Sequence, residues 1–319
     1  MKFLTRLFKR KPKVEKTDIA KRFDLIVRLG QGSMSKVWRA LDRSTGKIVA
    51  LKILDREKTL RYEARFADRV KPTEGEVAVE LVHPHIVRTW DHGHTLANEQ
   101  FLVMELIEGY GLSYLVDMQN EMLREHRLRL IVELAEAVHY FHHQNWIHRD
   151  ICPRNVLLDK NCSVKLIDFG LVVPNTPAFQ EPGNRTGTAN YMAPELIKRQ
   201  HTDQRIDIFS FAVSCYEMYT KTLPWPALGA GLEGVLKRIN QPPRDIRELV
   251  PDIDEQVAAT IMRGLEPAPG DRWQGMIEVL MQFREARARL NDPTLPPDSP
   301  DSAPKPRDDH ADKWQFRTT

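Results

Sequence analysis

The spacing of apolar positions changes along the chain, and the change divides it into parts. From Phe23 the runs FDLIVRLG, KVWRALD and KIVALKIL are short, rich in β-branched side chains, and separated by glycine or by the turn Ser44-Thr45-Gly46. They predict three antiparallel strands in a meander. A charged stretch over 56–82 follows, with helix predicted near its end. Two further strand-like runs, HIVRTWDHG and FLVMELI, come next. Beyond residue 112 the period is helical: Leu128, Ile131, Leu134, Ala135, Val138 and Phe141 mark one face of a long helix. Another apolar helix is predicted over about 206–219 and more helix up to about 289. A β-rich first third joined to an α-rich remainder predicts an α+β chain of two lobes with a cleft between them.

The two ends follow neither period. MKFLTRLFKRKPK sets Phe3, Leu4, Leu7 and Phe8 at helical spacing among basic residues until Pro12 stops the pattern. Two readings of this leader stand: a solvated, frayed terminus, or a weak peripheral membrane contact through residues 1–13. Residues 1–22 are read as a basic, flexible leader. After Leu290, NDPTLPPDSPDSAPKPRDDHADKWQFRTT is rich in Pro and Asp without apolar period, and 289–319 is read as a disordered tail. Three cysteines without CxxC spacing exclude a disulfide scaffold or a four-cysteine zinc site. They fit a reducing, cytoplasmic setting, with membrane association only under the second reading of the leader. The net charge of +3 hides an asymmetry. The leader carries nine lysines and arginines against Glu15 and Asp18, so the other 297 residues sum to −4. A nucleic-acid partner, which wants a broadly basic body, is therefore not expected.

Candidate chemistry lies at fixed intervals within 23–288. Gly30-Gln31-Gly32-Ser33-Met34-Ser35-Lys36-Val37 falls at the turn between the first two strands, where two glycines let backbone amides approach a phosphate. A tight hairpin would use the same residues. Lys52 sits in the otherwise apolar run Val49-Ala50-Leu51-Lys52, and an ammonium on a half-buried strand needs an anionic partner. Then comes His148-Arg149-Asp150-Ile151-Cys152-Pro153-Arg154-Asn155, an apolar strand pair, and Asp168-Phe169-Gly170. A short hairpin there would bring two carboxylates and an amide oxygen together. Those hard oxygen ligands suit Mg²⁺, with one carboxylate left to orient a hydroxyl.

In this order the motifs resemble a eukaryotic-type protein kinase domain of the serine/threonine branch, over roughly residues 23–288. The resemblance implies a bilobal protein kinase-like fold: a small β-rich N-lobe with one regulatory helix, about 23–107, and a larger α-helical C-lobe, about 108–288. It implies ATP and Mg²⁺ as cofactors and protein substrates bearing Ser/Thr. The glycine loop 30–37 then covers the ATP phosphates, Lys52 contacts them, Asp150 is the base, and Asn155 and Asp168 hold Mg²⁺. Lys52 should pair with Glu74, nine residues before His83-Pro84; Glu76 is the alternative, and Glu80 lies on the same stretch. Met104 is implied as gatekeeper, Glu105 and Ile107 as backbone partners of adenine, Leu29, Val37 and Ala50 as its roof, and Leu157 as its floor. Thr188, in Gly187-Thr188-Ala189-Asn190-Tyr191, should bridge towards Asp150, and Asp207 should support the catalytic loop. Arg272 should pair with Glu195. Thr186 and Thr176 are candidate phosphate acceptors near Arg149.

The departures from the family pattern concern charge. Cys152 stands where serine/threonine kinases carry a lysine, while Arg154 stands where tyrosine kinases present an arginine. Arg154 is expected to replace the missing cation. Two alternatives remain: a nucleotide-binding pseudokinase or scaffold, motivated by Cys152, and a dual-specificity kinase, motivated by Arg154. Cys152 as a redox-sensitive site is a further possibility. Ser35 replaces a third loop glycine and Ala212 a glycine near the supporting helix. His83, His85, His92 and His94 are read as polar loop histidines rather than zinc ligands.

Overall fold

The computed structural model describes residues 16–32, 34–66, 69, 71–183, 186–225 and 241–290. The leader segment 1–13, Ser33 and the tail beyond Leu290 lie outside the described residues. The chain divides into two units, one containing residues 16–64 and 89–106, the other 65–88 and 107–290.

In the first unit β1 (Lys16–Thr17), β2 (Phe23–Gln31), β3 (Ser35–Asp42), β4 (Lys47–Leu54), β5 (Thr89–Thr95) and β6 (Gln100–Met104) form one sheet in the order β1-β5-β6-β4-β3-β2. The three-strand meander is present as read. Side chains alternate between the faces of a strand. Phe23, Ala40, Val49, Leu51, Phe101 and Val103 make the core, with Ile19, Trp38 and Ile53 packed against it. Phe23 meets Phe101 edge-on, with centroids 6.2 Å apart. The other parity of β3, β4 and β6 carries Val37 opposite Lys52 and Ala50 opposite Met104.

The end of the basic leader is part of this unit. Lys16 and Thr17 pair in parallel with His94 and Thr95. Asp18 caps the short helix α1 (Ile19–Arg22) through the Lys21 amide. Arg22 bonds Asp42 at 3.0 Å and Asp91 at 2.7 Å. Counted only as charges, residues 16–22 show nothing of this anchoring by Asp18, Ile19 and Arg22. α2 (Arg56–Glu63) follows β4, capped by Asp55 and tied to β6 by Gln100 on Glu63 at 2.8 Å.

The second unit holds α3 (Glu74–Glu80), β7 (Tyr110–Gly111), α4 (Leu112–Met118), α5 (Glu121–His143), β8 (Trp146–Ile147), β9 (Val156–Leu158) and β10 (Val164–Leu166). It continues with β11 (Val173–Pro174), α6 (Pro177–Gln180), α7 (Pro194–Ile197), α8 (Arg205–Thr220), α9 (Glu255–Gly264) and α10 (Met276–Leu290). α5 buries Ile131, Leu134, Ala135, Val138 and Phe141, the face read from its period. α8 is buried on nearly every side, from Ile206 through Tyr216, as a helix at the centre of a core must be. Ala212 on α8 meets Gly264 on α9. A Cβ at Gly264 would lie 2.6 Å from that of Ala212, so the glycine admits the alanine. α10 runs through Leu290, two residues into the segment read as tail.

Residues 65–88, read by sequence as part of the β-rich lobe, group with this helical unit. His83 stacks on Tyr140 of α5 at 5.0 Å, and the Tyr140 hydroxyl accepts from the Val82 amide. His85 reaches Glu136 at 3.3 Å. Ile86 bridges Leu166, so the strand read as beginning at His85 starts instead at Thr89.

Candidate active site

The catalytic-loop motif is fixed from beneath by one carboxylate. Asp207, in the first turn of α8 and fully buried, accepts the backbone N–H of His148 and of Arg149, each at 2.7 Å, and faces His142 Nε2 at 3.0 Å. Burial alone would push this carboxyl up. The hydrogen bond from His142, the charges of His142 and His148, and the backbone bond from His148 hold it below its ordinary value. Burial pushes the His148 imidazole down, towards its neutral form. Arg149 takes a left-handed backbone, φ 69°, a conformation of order 1–3 kcal/mol above the ordinary regions that persists only when the surroundings impose it.

Asp150 is oriented at both oxygens. Its Oδ1 accepts the Thr188 amide at 2.7 Å; its Oδ2 accepts Asn155 Nδ2 at 2.9 Å, and the same nitrogen donates to the Asp150 carbonyl at 2.8 Å. The predicted hairpin is β9 paired with β10, Val156 opposite Leu166. The Ile167 amide donates to the Asn155 carbonyl at 2.9 Å, which sets Asp168 beside Asn155. Asp168 is exposed, has φ 76°, and its Oδ1 accepts the Gly170 amide at 3.2 Å. Phe169 turns inward onto Phe141 and His148. The residues fit the implied metal. Asn155 commits its nitrogen to Asp150, which leaves the amide oxygen, with the Asp168 carboxylate, as a hard-oxygen donor set.

Around Asp150 the structure brings together Thr188, Cys152 and Arg154. The bridge from Thr188 is made by its backbone N–H, while its hydroxyl accepts from Arg154 Nη2 at 3.3 Å. Cys152 is buried, its Sγ 3.9 Å from that same hydroxyl, and burial with the neighbouring Asp150 charge pushes the thiol up to about 12. Burial and the Asp150 charge both oppose formation of a thiolate at Cys152. Gly187 lets the segment come this close. It has φ 133°, and a Cβ there would stand 2.7 Å from the Arg149 carbonyl. Arg272, fully buried, meets Glu195 through two bonds of 2.7 Å, as expected. Thr186 is buried, whereas Thr176 is exposed at the start of α6.

The remaining residues lie as follows. Lys52 is buried on β4, on the face shared with Val37, Ala50 and Met104. Gly30 and Gln31 end β2 opposite Val37 and Lys36. The Gly32 amide closes the turn on the Ser35 carbonyl at 2.9 Å, and the Met34 carbonyl accepts the Asp55 amide at 2.7 Å. Leu29, Glu105, Ile107 and Leu157 are half-buried. The three glutamates of α3 differ in burial. Glu76 is exposed and spends its carboxylate on the capping box with Thr73, and Glu80 is exposed. Glu74 is buried, with its carboxylate 3.3 Å from where a Cβ on Gly170 would stand. Two contributors escaped the sequence reading. His142 supports Asp207, and Tyr191 donates to Glu217, whose carboxyl burial pushes up. The sequence signal for His142 is its position on a helix read as buried, and for Tyr191 its place in the Gly187–Tyr191 motif.

Comparison with known proteins agrees with this geometry. A family model described as protein kinase domain matches residues 23–282. A probable serine/threonine-protein kinase of Streptomyces coelicolor is 29% identical over 266 residues, covering 81% of this chain and 39% of the relative. Another, of Clostridium perfringens, is 27% identical over 277 residues, covering 86% and 39%. The hormonally up-regulated neu tumor-associated kinase homolog A of Xenopus laevis is 31% identical over 245 residues, covering 76% and 35%. The chain spans little more than a third of the length of these relatives.

Proposed function

This chain belongs to the protein kinase domain family, and from that premise we propose that it transfers the γ-phosphoryl group of ATP to serine or threonine hydroxyls of protein substrates. The observation that carries the reading is Asp150, held at one oxygen by the Thr188 amide and at the other by Asn155. A carboxylate fixed this way can orient an incoming hydroxyl and take its proton as the bond to phosphorus forms. Lys52 is assigned to the ATP phosphates, and Glu74, buried on α3, to the supporting role that the kinase resemblance implies. Asn155 and Asp168 would hold Mg²⁺, which supplies charge neutralisation at the phosphate oxygens. Arg154, exposed and already within reach of Thr188, is assigned the charge-stabilising role of the absent lysine. Serine/threonine specificity is favoured by the Gly187-Thr188 segment seated against Asp150, and by relatives named as serine/threonine kinases.

The test is mass spectrometry and phosphoamino-acid analysis of the purified chain and a generic protein substrate after incubation with Mg·ATP. Phosphoserine and phosphothreonine are expected, absent in Asp150→Asn. Arg154→Ala should lower kcat by roughly a hundred- to a thousandfold, the scale of losing one electrostatic stabiliser. Equal labelling by wild type and Asp150→Asn, or none by wild type, would favour the pseudokinase reading. Substantial phosphotyrosine would favour dual specificity.

A further inference from the structure

Glu74 stands on a helix too short to hold itself. α3 has seven residues, well below the roughly 12–15 at which isolated helices become marginal in water, and Gly75 weakens its second position. Its capping box is exposed and local. α3 buries Glu74, Gly75, Val77 and Ala78, and packing of the chain on either side adds to what holds it. On the C-terminal side, Arg88 gathers the Val79 and Leu81 carbonyls and the Val82 amide meets Tyr140. On the N-terminal side stands Phe66, buried, with its ring 5.7 Å from that of Phe179 at 41°. The Arg69 guanidinium lies 5.9 Å from the Phe179 ring and the Lys71 ammonium 6.0 Å from the Phe66 ring, within range of cation–π attraction.

Phe179 lies on α6, in the segment between Asp168 and Ala193, and α6 is itself fastened to the helical unit. The Thr202 amide donates to the Gln180 carbonyl at 2.9 Å, and the Asn175 amide to the Asn145 carbonyl at 2.7 Å. Gln180 Nε2 donates to Asn175 Oδ1 at 2.8 Å, and β11 pairs with β8. Phe179 is thus a fixed point against which Phe66 is packed. At this point two buried rings meet. Thr186 is buried, and the exposed Thr176 lies outside the ring contact.

We infer that Phe179 is a positioning residue: clasped to Phe66, it fixes the approach to α3 and so the placement of Glu74, without a phosphate on Thr176 or Thr186. The catalytic consequence rests on the kinase reading; the clasp does not. Hydrogen–deuterium exchange of the full, phosphatase-treated chain tests the clasp whether or not the protein transfers phosphate. Phe179→Ala should speed exchange of the amides at 74–80 at least tenfold, Phe179→Tyr should restore it, and Phe179→Leu, which keeps most of the volume if the alanine variant does not fold, should fall between. Unchanged exchange in the alanine or leucine variant overturns the clasp. Wild type without activity would instead count against the kinase reading. In the active enzyme, Phe179→Ala should lower kcat roughly ten- to a hundredfold, the scale of a small misplacement in a site. It should cost little more on top of Glu74→Gln, because both changes act through one group. Additive losses overturn the route through Glu74, and loss of wild-type activity on phosphatase treatment overturns independence from phosphate.

Discussion

Asp207→Asn removes a charge and one acceptor while keeping shape. Asp207 Oδ1 accepts the Arg149 amide at 2.7 Å; Oδ2 accepts the His148 amide at 2.7 Å and faces His142 at 3.0 Å. Asparagine offers one oxygen, so its NH₂ must face a backbone N–H in a fully buried place. A hydrogen bond to a charged acceptor is worth about 1.5–3 kcal/mol and a stranded buried donor costs about 1–3, which gives roughly 3–5 kcal/mol lost. Breaking a buried ion pair falls in the same range. For a unit of this size each kcal/mol moves Tm by about 2–4 °C, so a fall of roughly 6–20 °C is expected by thermal unfolding. Catalysis should suffer too. The two amides hold Arg149 at φ 69°, and a freed loop would relax and shift Asp150. A kcat loss of roughly a hundredfold is expected. The companion variant His142→Gln leaves both amides satisfied and should cost less in both assays. A Tm within about 2 °C of wild type, with kcat retained, would refute this account of the loop. The pH dependence has a definite sign. The folded carboxyl is held below its ordinary value, so its contribution is whole above about pH 3.9 and declines as pH falls further.

Gly187→Ala sets a Cβ 2.7 Å from the Arg149 carbonyl at φ 133°, and should cut kcat while leaving the melting curve of the rest of the fold little changed; a fully active variant refutes the close-approach argument. Arg272→Met strands Glu195 and the carbonyls of Glu266, Pro267 and Arg205, and should cost about 3–5 kcal/mol in urea unfolding. Adding Glu195→Met should recover part of that loss, and no recovery would show that the carbonyls, not the ion pair, dominate. Glu136 is held at about 2 by the hydrogen bond from His85 and by Arg284. Its contribution is present above about pH 4.3 and lost between there and about 2, and because the group is partly exposed it is worth under about 1 kcal/mol. Stability of Glu136→Gln followed from pH 5 to 3 should fall less steeply than wild type. Cys152 should resist alkylation by iodoacetamide at pH 8 in the folded protein; fast labelling there would contradict its burial.

The parts legible in sequence were those whose side-chain chemistry is local. KIVALKIL reads as a strand from its short β-branched run, and β4 bears it out; strand parity then puts Lys52 and Ala50 on one face. The period of α5 was readable for the same reason. What could not be read depends on contacts distant in sequence. Whether Glu74 or Glu76 is buried turns on a capping box, which the resemblance that named Glu74 does not contain. Residues 65–88 look charged and irregular because their partners, Tyr140, Glu136, Leu166 and Phe179, lie more than 50 residues away. The leader erred in the other direction: a charge count averaged Arg22 with the other basic residues, although Arg22 is committed to Asp42 and Asp91.

The exchange of lysine for Cys152 becomes intelligible once burial is included. The side chain at 152 points into a buried place beside Thr188, where an ammonium would need a fixed partner and a thiol needs none. Arg154 reaches the same hydroxyl from the exposed side, and its planar fork can hold Thr188 while presenting further N–H groups to an anion. That arrangement works only if nothing nearby cancels the guanidinium. The candidate for cancellation is Glu217, to which Arg154 is electrostatically coupled. Burial raises the Glu217 carboxyl above its ordinary value, and the hydrogen bond from Tyr191 occupies one of its oxygens. The carboxylate is thereby directed at Tyr191 rather than at Arg154. A Tyr191→Phe variant should free Glu217 to pair with Arg154, raising KM for the phosphoryl donor more than it lowers stability. Equal or lower KM in that variant would mean that Arg154 answers to Glu217 already, and that the missing lysine has no substitute there.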